Sequence, residues 1–299
     1  MLGIHNLQKN IPLASYTTYK IGGPANLFVE VKTRDELVNA VKDARANDLP
    51  YFILGTGANI LVTDKGFRGL VILNRTDNIE FLAGEKVKAD SGTVVADLIE
   101  TSKEKELSGF EHFAGIPSSI GGAIWQNLHF LAPDRANTFF IEAILLEANI
   151  LDEQNNIQKV DKSFFEFGYD DSILHRKEII VLDATFQLTP KPRAEIQKQI
   201  DANLLWRTTK QPQLWEYPSC GSVFKKIEGA GAGRLIQEAG LKGAQIGQVK
   251  ISEKHANYII NLGGATAADV LNIIELVKLT VKEKLGYDMQ AEISIIGEK

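Results

Sequence analysis

The chain of 299 residues has a single cysteine, Cys220. Without a second one there is no internal disulfide and no cysteine-based metal site, so any redox chemistry must come from a bound cofactor. A basic excess is lacking too: 33 Lys and Arg stand against 38 Asp and Glu, a formal net charge of -5. Tracking a phosphate backbone needs surplus positive charge, which argues against a nucleic-acid partner. Long hydrophobic runs are missing. The run Ile141–Ile150 is broken by Glu142 and Glu147 and falls far short of the roughly 20 apolar residues that cross a bilayer. The opening MLGIHNLQKNIPL has neither a basic nor an apolar leader region, and the expectation is a cytoplasmic protein that does not bind membranes. His5, His112, His129, His175 and His255 show no metal-ligand spacing, so no metal is expected. Internal repeats and low-complexity tracts are absent.

A hydrophobic fraction of 44% is enough for a substantial core, and the length suits two or three domains. Residues 34–48 place Leu37, Ala40, Val41 and Ala44 at helical spacing. Short β-rich runs follow at 51–54, 60–62 and 69–73, bounded by Gly and Asp. A second unit opens with a strand at 86–90 and a helix near 94–105. Two alternating runs then flank the turn Asp152-Glu153-Gln154-Asn155-Asn156, and a strand at 178–188 closes an antiparallel α+β unit. The prolines of 189–195 mark a linker or a helix start, and a domain junction is placed there. Residues 265–286 set Val270, Ile273, Ile274, Val277, Val281 and Leu285 on one helix face, with Thr266 and Asp269 as a capping box and Gly286 as the stop. A last strand is expected near 291–298.

Three motifs could carry chemistry. Gly55-Thr56-Gly57-Ala58-Asn59-Ile60 is an incomplete dinucleotide fingerprint, because Ile60 replaces the third Gly and a strand follows where a helix should open. Either a tight turn or an anion-binding nest of backbone N–H groups fits it. Ala114 to Ala123 holds three glycines, Pro117, Ser118 and Ser119, and reads as a ligand loop or a packing loop. Tyr217 to Lys226 puts Gly221 beside Ser222 ahead of Lys225 and Lys226, either a hydroxyl near a bound anion or a turn with solvated lysines. Cys220 reads as a buried small hydrophobe. Glu292, alternating with Ile293 and Ile295, reads by itself as a solvent-facing carboxylate.

Over nearly its whole length the sequence resembles the UDP-N-acetylenolpyruvoylglucosamine reductase family. The resemblance runs through YTTYKIGGPA (16–25), LGTGANILVTDKGFRG (54–69), AGIPSSIGGA (114–123), PSCGSVFKK (218–226), AGRLIQEAGLKG (232–243), SEKHANYIIN (252–261) and AEISIIGE (291–298), in the family's order. It implies an α+β fold: a two-subdomain FAD-binding fold of the vanillyl-alcohol-oxidase type, followed by an α/β substrate-binding domain. The corresponding blocks are 1–75, 76–190 and 191–299, the last strand returning toward the active site. It further implies noncovalent FAD, with the pyrophosphate near Gly55, Thr56, Gly57, Ala58, Asn59 and Ile60 and the ring near Pro117, Ser118, Ser119, Gly121 and Gly122. NADPH would be the electron donor, UDP-N-acetylglucosamine enolpyruvate the substrate, and the protein a monomer.

The same resemblance implies Ser222 as proton donor, assisted by Glu292, with Tyr169, Arg207, Lys225 and Lys226 contacting the substrate. The family's Tyr-Arg pair reads Tyr169-Asp170 here, so the cation at the enolpyruvyl carboxylate is expected from Arg176, with Arg207 as another source of positive charge. The family's Asn after the aromatic-Lys run is Lys226, and its Asn-Ala-Gly-Ala-Tyr stretch is reduced to Asn127-Leu128-His129-Phe130. A flavin oxidase on the same fold would leave the Ser222 and Glu292 motifs unexplained. A noncatalytic nucleotide-sugar binding protein would follow if Asp170 had abolished turnover.

Overall fold

Thr33 opens the first helix: its side chain accepts from the Glu36 N–H while the Glu36 carboxylate accepts from the Thr33 N–H, and the apolar face of Arg34–Ala46 is buried beyond it. The computed structural model describes residues 4–132, 137–227 and 229–298. They form two compact units, each assembled from separate stretches of chain.

The first unit comprises residues up to Leu7, Val29–Thr56 and Ile72–Trp206. Its five-stranded sheet is antiparallel throughout, in the order Ile157–Asp161, Leu145–Leu151, Ile180–Gln187, Lys86–Asp90 and Ile79–Leu82. The expected hairpin around Asp152 is its edge, paired from Glu147↔Asp161 to Leu151↔Ile157. Asp183, 1% exposed on the central strand, is held by the Arg34 guanidinium at 2.8 Å, the Asn149 amide at 2.7 Å and Lys88 at 3.6 Å. A charge so deeply buried requires such partners. Arg45 fastens the first helix to the hairpin through Asp152 O at 2.6 Å and Asn155 Oδ1 at 2.9 Å. Val87, Leu98, Phe110, Ile120, Phe165 and Phe186 lie in the core, Phe110 meeting Phe186 edge-on at 5.0 Å.

The second unit comprises Gln8–Phe28, Gly57–Val71 and residues from Arg207 onward. Gln8–Pro12 pairs antiparallel with the strand that starts at Pro24, and Ser294–Ile296 lies parallel to Ile60–Val62. A three-stranded sheet, Gln245–Ile246, Val249–Ile251 and Ile259–Asn261, packs with the helix Ala267–Leu285 over Val249, Val270, Ile274, Val277 and Val281. Thr266 and Asp269 form the capping box and Gly286 ends the helix in the left-handed region. Asp64 adds a second cap, its carboxylate accepting from the Ala267 and Ala268 amides at 2.8 and 3.0 Å. Thr266→Ala is expected to cost about 1 kcal/mol, read as a lower urea midpoint at unchanged slope. An unshifted midpoint would show that Asp64 alone suffices.

The division into two interrupted units differs from the contiguous blocks expected from the sequence. Residues 189–195 hold a two-residue strand, Thr189–Pro190, and the start of the helix Arg193–Lys210, and the division falls after Trp206, inside that helix. The glycine-rich stretch also ends differently, since Ser119 caps a short helix over Ile120–Gln126. No helix among the described residues is long and apolar enough to cross a membrane.

Candidate active site

The loop between strands Tyr51–Leu54 and Ile60–Val62 is held by local contacts. Gly57 adopts φ +66°, and its carbonyl accepts from the Thr18 N–H at 3.1 Å and the Thr18 hydroxyl at 3.3 Å. The amides from Gly55 to Asn59 donate to no backbone acceptor among the described residues. Unengaged amides along a turned loop are what an anion-binding nest presents. In the first unit, Thr56 donates its hydroxyl to Pro117 O at 3.0 Å, and a Cβ on Gly55 would collide with the Ser119 hydroxyl. The two glycine-rich loops therefore touch where Thr56 meets Pro117.

The 114–123 stretch is seated on strand ends of the first unit. Ser118 O accepts from Val95 N, Thr93 O from Ile120 N and Ser91 O from Gly121 N, at 2.9, 2.9 and 2.7 Å. Gly121 backs onto Ser91, whereas Gly122 is exposed. Beneath the helix start lies Thr93, 1% exposed, whose hydroxyl has no partner among the described residues.

Beyond that helix, Trp125 stacks on His175 at 3.5 Å, and its carbonyl accepts from the Ser172 hydroxyl at 2.8 Å. Asn127 caps the helix in the left-handed region and donates to Gly168 O at 3.0 Å. Asp170 is buried, with φ +52°, and His129 Nδ1 stands 3.4 Å from its carboxylate. Tyr169 is exposed, its ring 4.6 Å from that of His129. Arg176, half-exposed, is already paired with Asp171 at 2.6 Å and Glu166 at 3.3 Å, and the Asp171 hydrogen bond in particular raises its pKa.

In the second unit the segment carrying Ser222 is clasped on two sides. Asn257 accepts the Val223 N–H on its backbone oxygen at 2.9 Å and the Phe224 N–H on its side chain at 3.0 Å, and returns its amide to Phe224 O at 2.9 Å. On the other side Val223 O accepts from Glu292 N at 2.7 Å and Gln290 O from Lys225 N at 2.9 Å. Ser222 faces Tyr258 across an antiparallel bridge. Arg207 lies in the last turn of its helix, and its buried Nε has no partner among the described residues. Burial lowers the Arg207 pKa, and Tyr258 opposes that shift. Cys220 is buried; burial pushes its thiol well above the usual range, and the Glu292 charge adds to the rise. Lys225 is half-buried and Lys226 exposed.

The structure thus groups Ser222, Arg207 and Glu292 around Tyr258, a residue that reading the sequence did not single out. Only its place in SEKHANYIIN could have drawn attention to it.

Known proteins resemble this chain along most of its length. A model of the FAD binding domain matches residues 25–154, and a model of the C-terminal domain of UDP-N-acetylenolpyruvoylglucosamine reductase matches residues 211–296. A reductase of that name from Caldanaerobacter subterraneus subsp. tengcongensis is 41% identical over 98% of this chain and 94% of its own. One from Clostridium novyi is 37% identical over 100% of this chain and 95% of its own. The crystal structure of the Thermus caldophilus reductase superposes with a TM-score of 0.81 at 30% identity, covering 97% of this chain and 99% of its own.

Proposed function

Because the chain belongs to the UDP-N-acetylenolpyruvoylglucosamine reductase family, we propose that Ser222, Arg207 and Glu292 deliver the proton and stabilise charge in its reaction, and that the loops Gly55–Ile60 and Pro117–Gly122 hold its flavin. The protein is an FAD-dependent oxidoreductase that reduces UDP-N-acetylglucosamine enolpyruvate to UDP-N-acetylmuramate with NADPH, a step of peptidoglycan precursor synthesis. Full-length similarity to reductases favours this over a flavin oxidase or a noncatalytic binding protein. NADPH and a nucleotide-sugar substrate suit a cytoplasmic enzyme.

The residues present fit a flavin nucleotide. Unengaged amides from Gly55 to Asn59 suit its pyrophosphate, and the unpartnered Thr93 hydroxyl beside the second loop offers a further polar contact. FAD held by the loops Gly55–Ile60 and Pro117–Gly122 would supply the hydride chemistry between NADPH and the vinyl group of the substrate. The residues of this chain then manage the resulting charge. It develops on the carbon bearing the carboxylate, and a preorganised cation there lowers the barrier. We assign that role to Arg207 in preference to Arg176, whose charge Asp171 and Glu166 already neutralise. Ser222 donates the proton to carbon, Glu292 orients the intermediate, and Tyr169, Lys225 and Lys226 contact the nucleotide sugar. The observation that carries this reading is the Ser222 segment clasped between Asn257 and Glu292, together with a buried Arg207 Nε that has no partner among the described residues.

Arg207→Ala is expected to slow reoxidation by the enolpyruvyl substrate about a hundredfold to a thousandfold, while flavin reduction by NADPH stays near wild type. Arg176→Ala should leave both half-reactions intact. Stopped-flow flavin absorbance separates the two steps. A slow Arg176→Ala enzyme beside an unimpaired Arg207→Ala enzyme would reverse the assignment.

A further inference from the structure

Tyr258 stands where the proton donor must be recharged. It is 6% exposed, and its backbone is fixed on both sides: its N–H donates to His255 O at 3.0 Å and its carbonyl accepts from Ser252 N at 2.8 Å. Residues facing each other across an antiparallel bridge have side chains within reach on the same face. Ser222 and Tyr258 are such a pair, and the Ser222 side chain helps to lower the Tyr258 pKa. The Arg207 charge also lowers the Tyr258 pKa, and the His255 ring meets the Tyr258 ring edge-on at 5.1 Å. Tyr19, buried in the same unit, differs in that its hydroxyl has no partner among the described residues. A tyrosine that only filled space would need no such set of neighbours.

Resting on the reading of Ser222 as proton donor, we propose that Tyr258 is a relay that reprotonates Ser222 during turnover, with Arg207 holding the phenolate charge. In the first transfer the Ser222 O–H bond breaks and a C–H bond forms at the carboxylate-bearing carbon, the electron pair staying on Oγ. In the same event the Tyr258 O–H bond breaks, its proton joins Ser222 Oγ, and a phenolate remains beside the guanidinium. A proton from solvent restores the phenol when turnover ends. The direction follows basicity, because a serine alkoxide is a far stronger base than a tyrosinate, whose acid has a pKa of about 10. Burial raises the Tyr258 pKa, Arg207 and the Ser222 side chain lower it, and the Glu292 and Cys220 charges raise it. The phenol therefore carries its proton at neutral pH. Tyr258 acts through Ser222 and is a positioning residue, not the group that meets the substrate.

Single-turnover reoxidation of the NADPH-reduced holoenzyme by UDP-N-acetylglucosamine enolpyruvate, in water and in mixtures with D2O, tests the relay. The wild type should give a curved proton inventory, two protons moving in the rate-determining event, and a rate that falls at alkaline pH. Tyr258→Phe should reoxidise about tenfold to a hundredfold more slowly, with a linear inventory and without the alkaline limb, while its reduction by NADPH is unchanged. Adding Tyr258→Phe to Ser222→Ala should cause no further loss. A linear wild-type inventory overturns the relay without any variant. If Ser222→Ala is slow but Tyr258→Phe keeps the wild-type rate and inventory, the relay alone fails. A fast Ser222→Ala enzyme removes both the donor and the relay.

Discussion

The Ser222→Ala enzyme will bleach with NADPH at the wild-type rate and then remain reduced when substrate is added, reoxidising slower by about a hundredfold to ten-thousandfold. The first half-reaction moves hydride and asks nothing of a hydroxyl, whereas the second cannot finish until a proton reaches carbon. With the hydroxyl gone, that proton must come from water or the hydride must return. The fold should be untouched, because Asn257 holds the segment through the Val223 and Phe224 amides, which the substitution leaves in place. Cys220→Ala is the matched comparison two positions away. Its thiol is buried and held neutral well above the usual range, so removing it should alter core packing and leave both half-reactions near wild type. A fast Ser222→Ala enzyme, or a folded Cys220→Ala enzyme that no longer reoxidises, would require another proton source.

Local patterns carried much of the fold into the sequence. The capping box at Thr266, the helical spacing of Val270, Ile274, Val277 and Val281, and the polar turn between two alternating runs each specify an element through neighbours a few residues apart. What stayed hidden depends on partners far along the chain. Ser294–Ile296 pairs with Ile60–Val62, and Asp64 caps a helix that starts at Ala267. No periodicity encodes such encounters, which is why the interrupted units did not follow from composition shifts near residues 189–195. The short helix Ile120–Gln126 was obscured because its first turn carries Gly121 and Gly122, poor helix formers whose place is set by Ser91 and the Ser119 cap.

The site divides along the same line. Ser222 and the loop Gly55–Ile60 stand out in the sequence because contiguous motifs carry them. The sequence puts Arg176 ahead of Arg207, because Arg176 lies only six residues beyond Asp170. Their surroundings separate them: two carboxylates neutralise Arg176, whereas the buried Arg207 Nε has no partner among the described residues. Tyr258 gains significance only from the bridge that sets it against Ser222, 36 residues earlier in the chain.

Gly57→Ala should yield protein that purifies largely without flavin and melts well below wild type. Gly57 sits at φ +66°, where a side chain costs about 1–2 kcal/mol. Strain is the smaller part, because the added Cβ would also strike the Tyr16 carbonyl oxygen and lie 2.9 Å from Thr17 Cα. Both are backbone atoms and cannot rotate aside, so the loop must move, and such overpacking adds about 1–3 kcal/mol. Moving it breaks the Thr18 bonds to Gly57 O and turns the amides of Gly55 to Asn59 away from the position the pyrophosphate needs. Gly84→Ala isolates the strain from the collision, since Gly84 has φ +75° and nothing within 4 Å of an added Cβ. That variant should lose only the left-handed penalty and keep its flavin. Flavin content from the absorbance of the purified proteins and melting temperatures with and without added FAD give the comparison. If Gly57→Ala binds FAD as Gly84→Ala does, the loop does not hold the pyrophosphate.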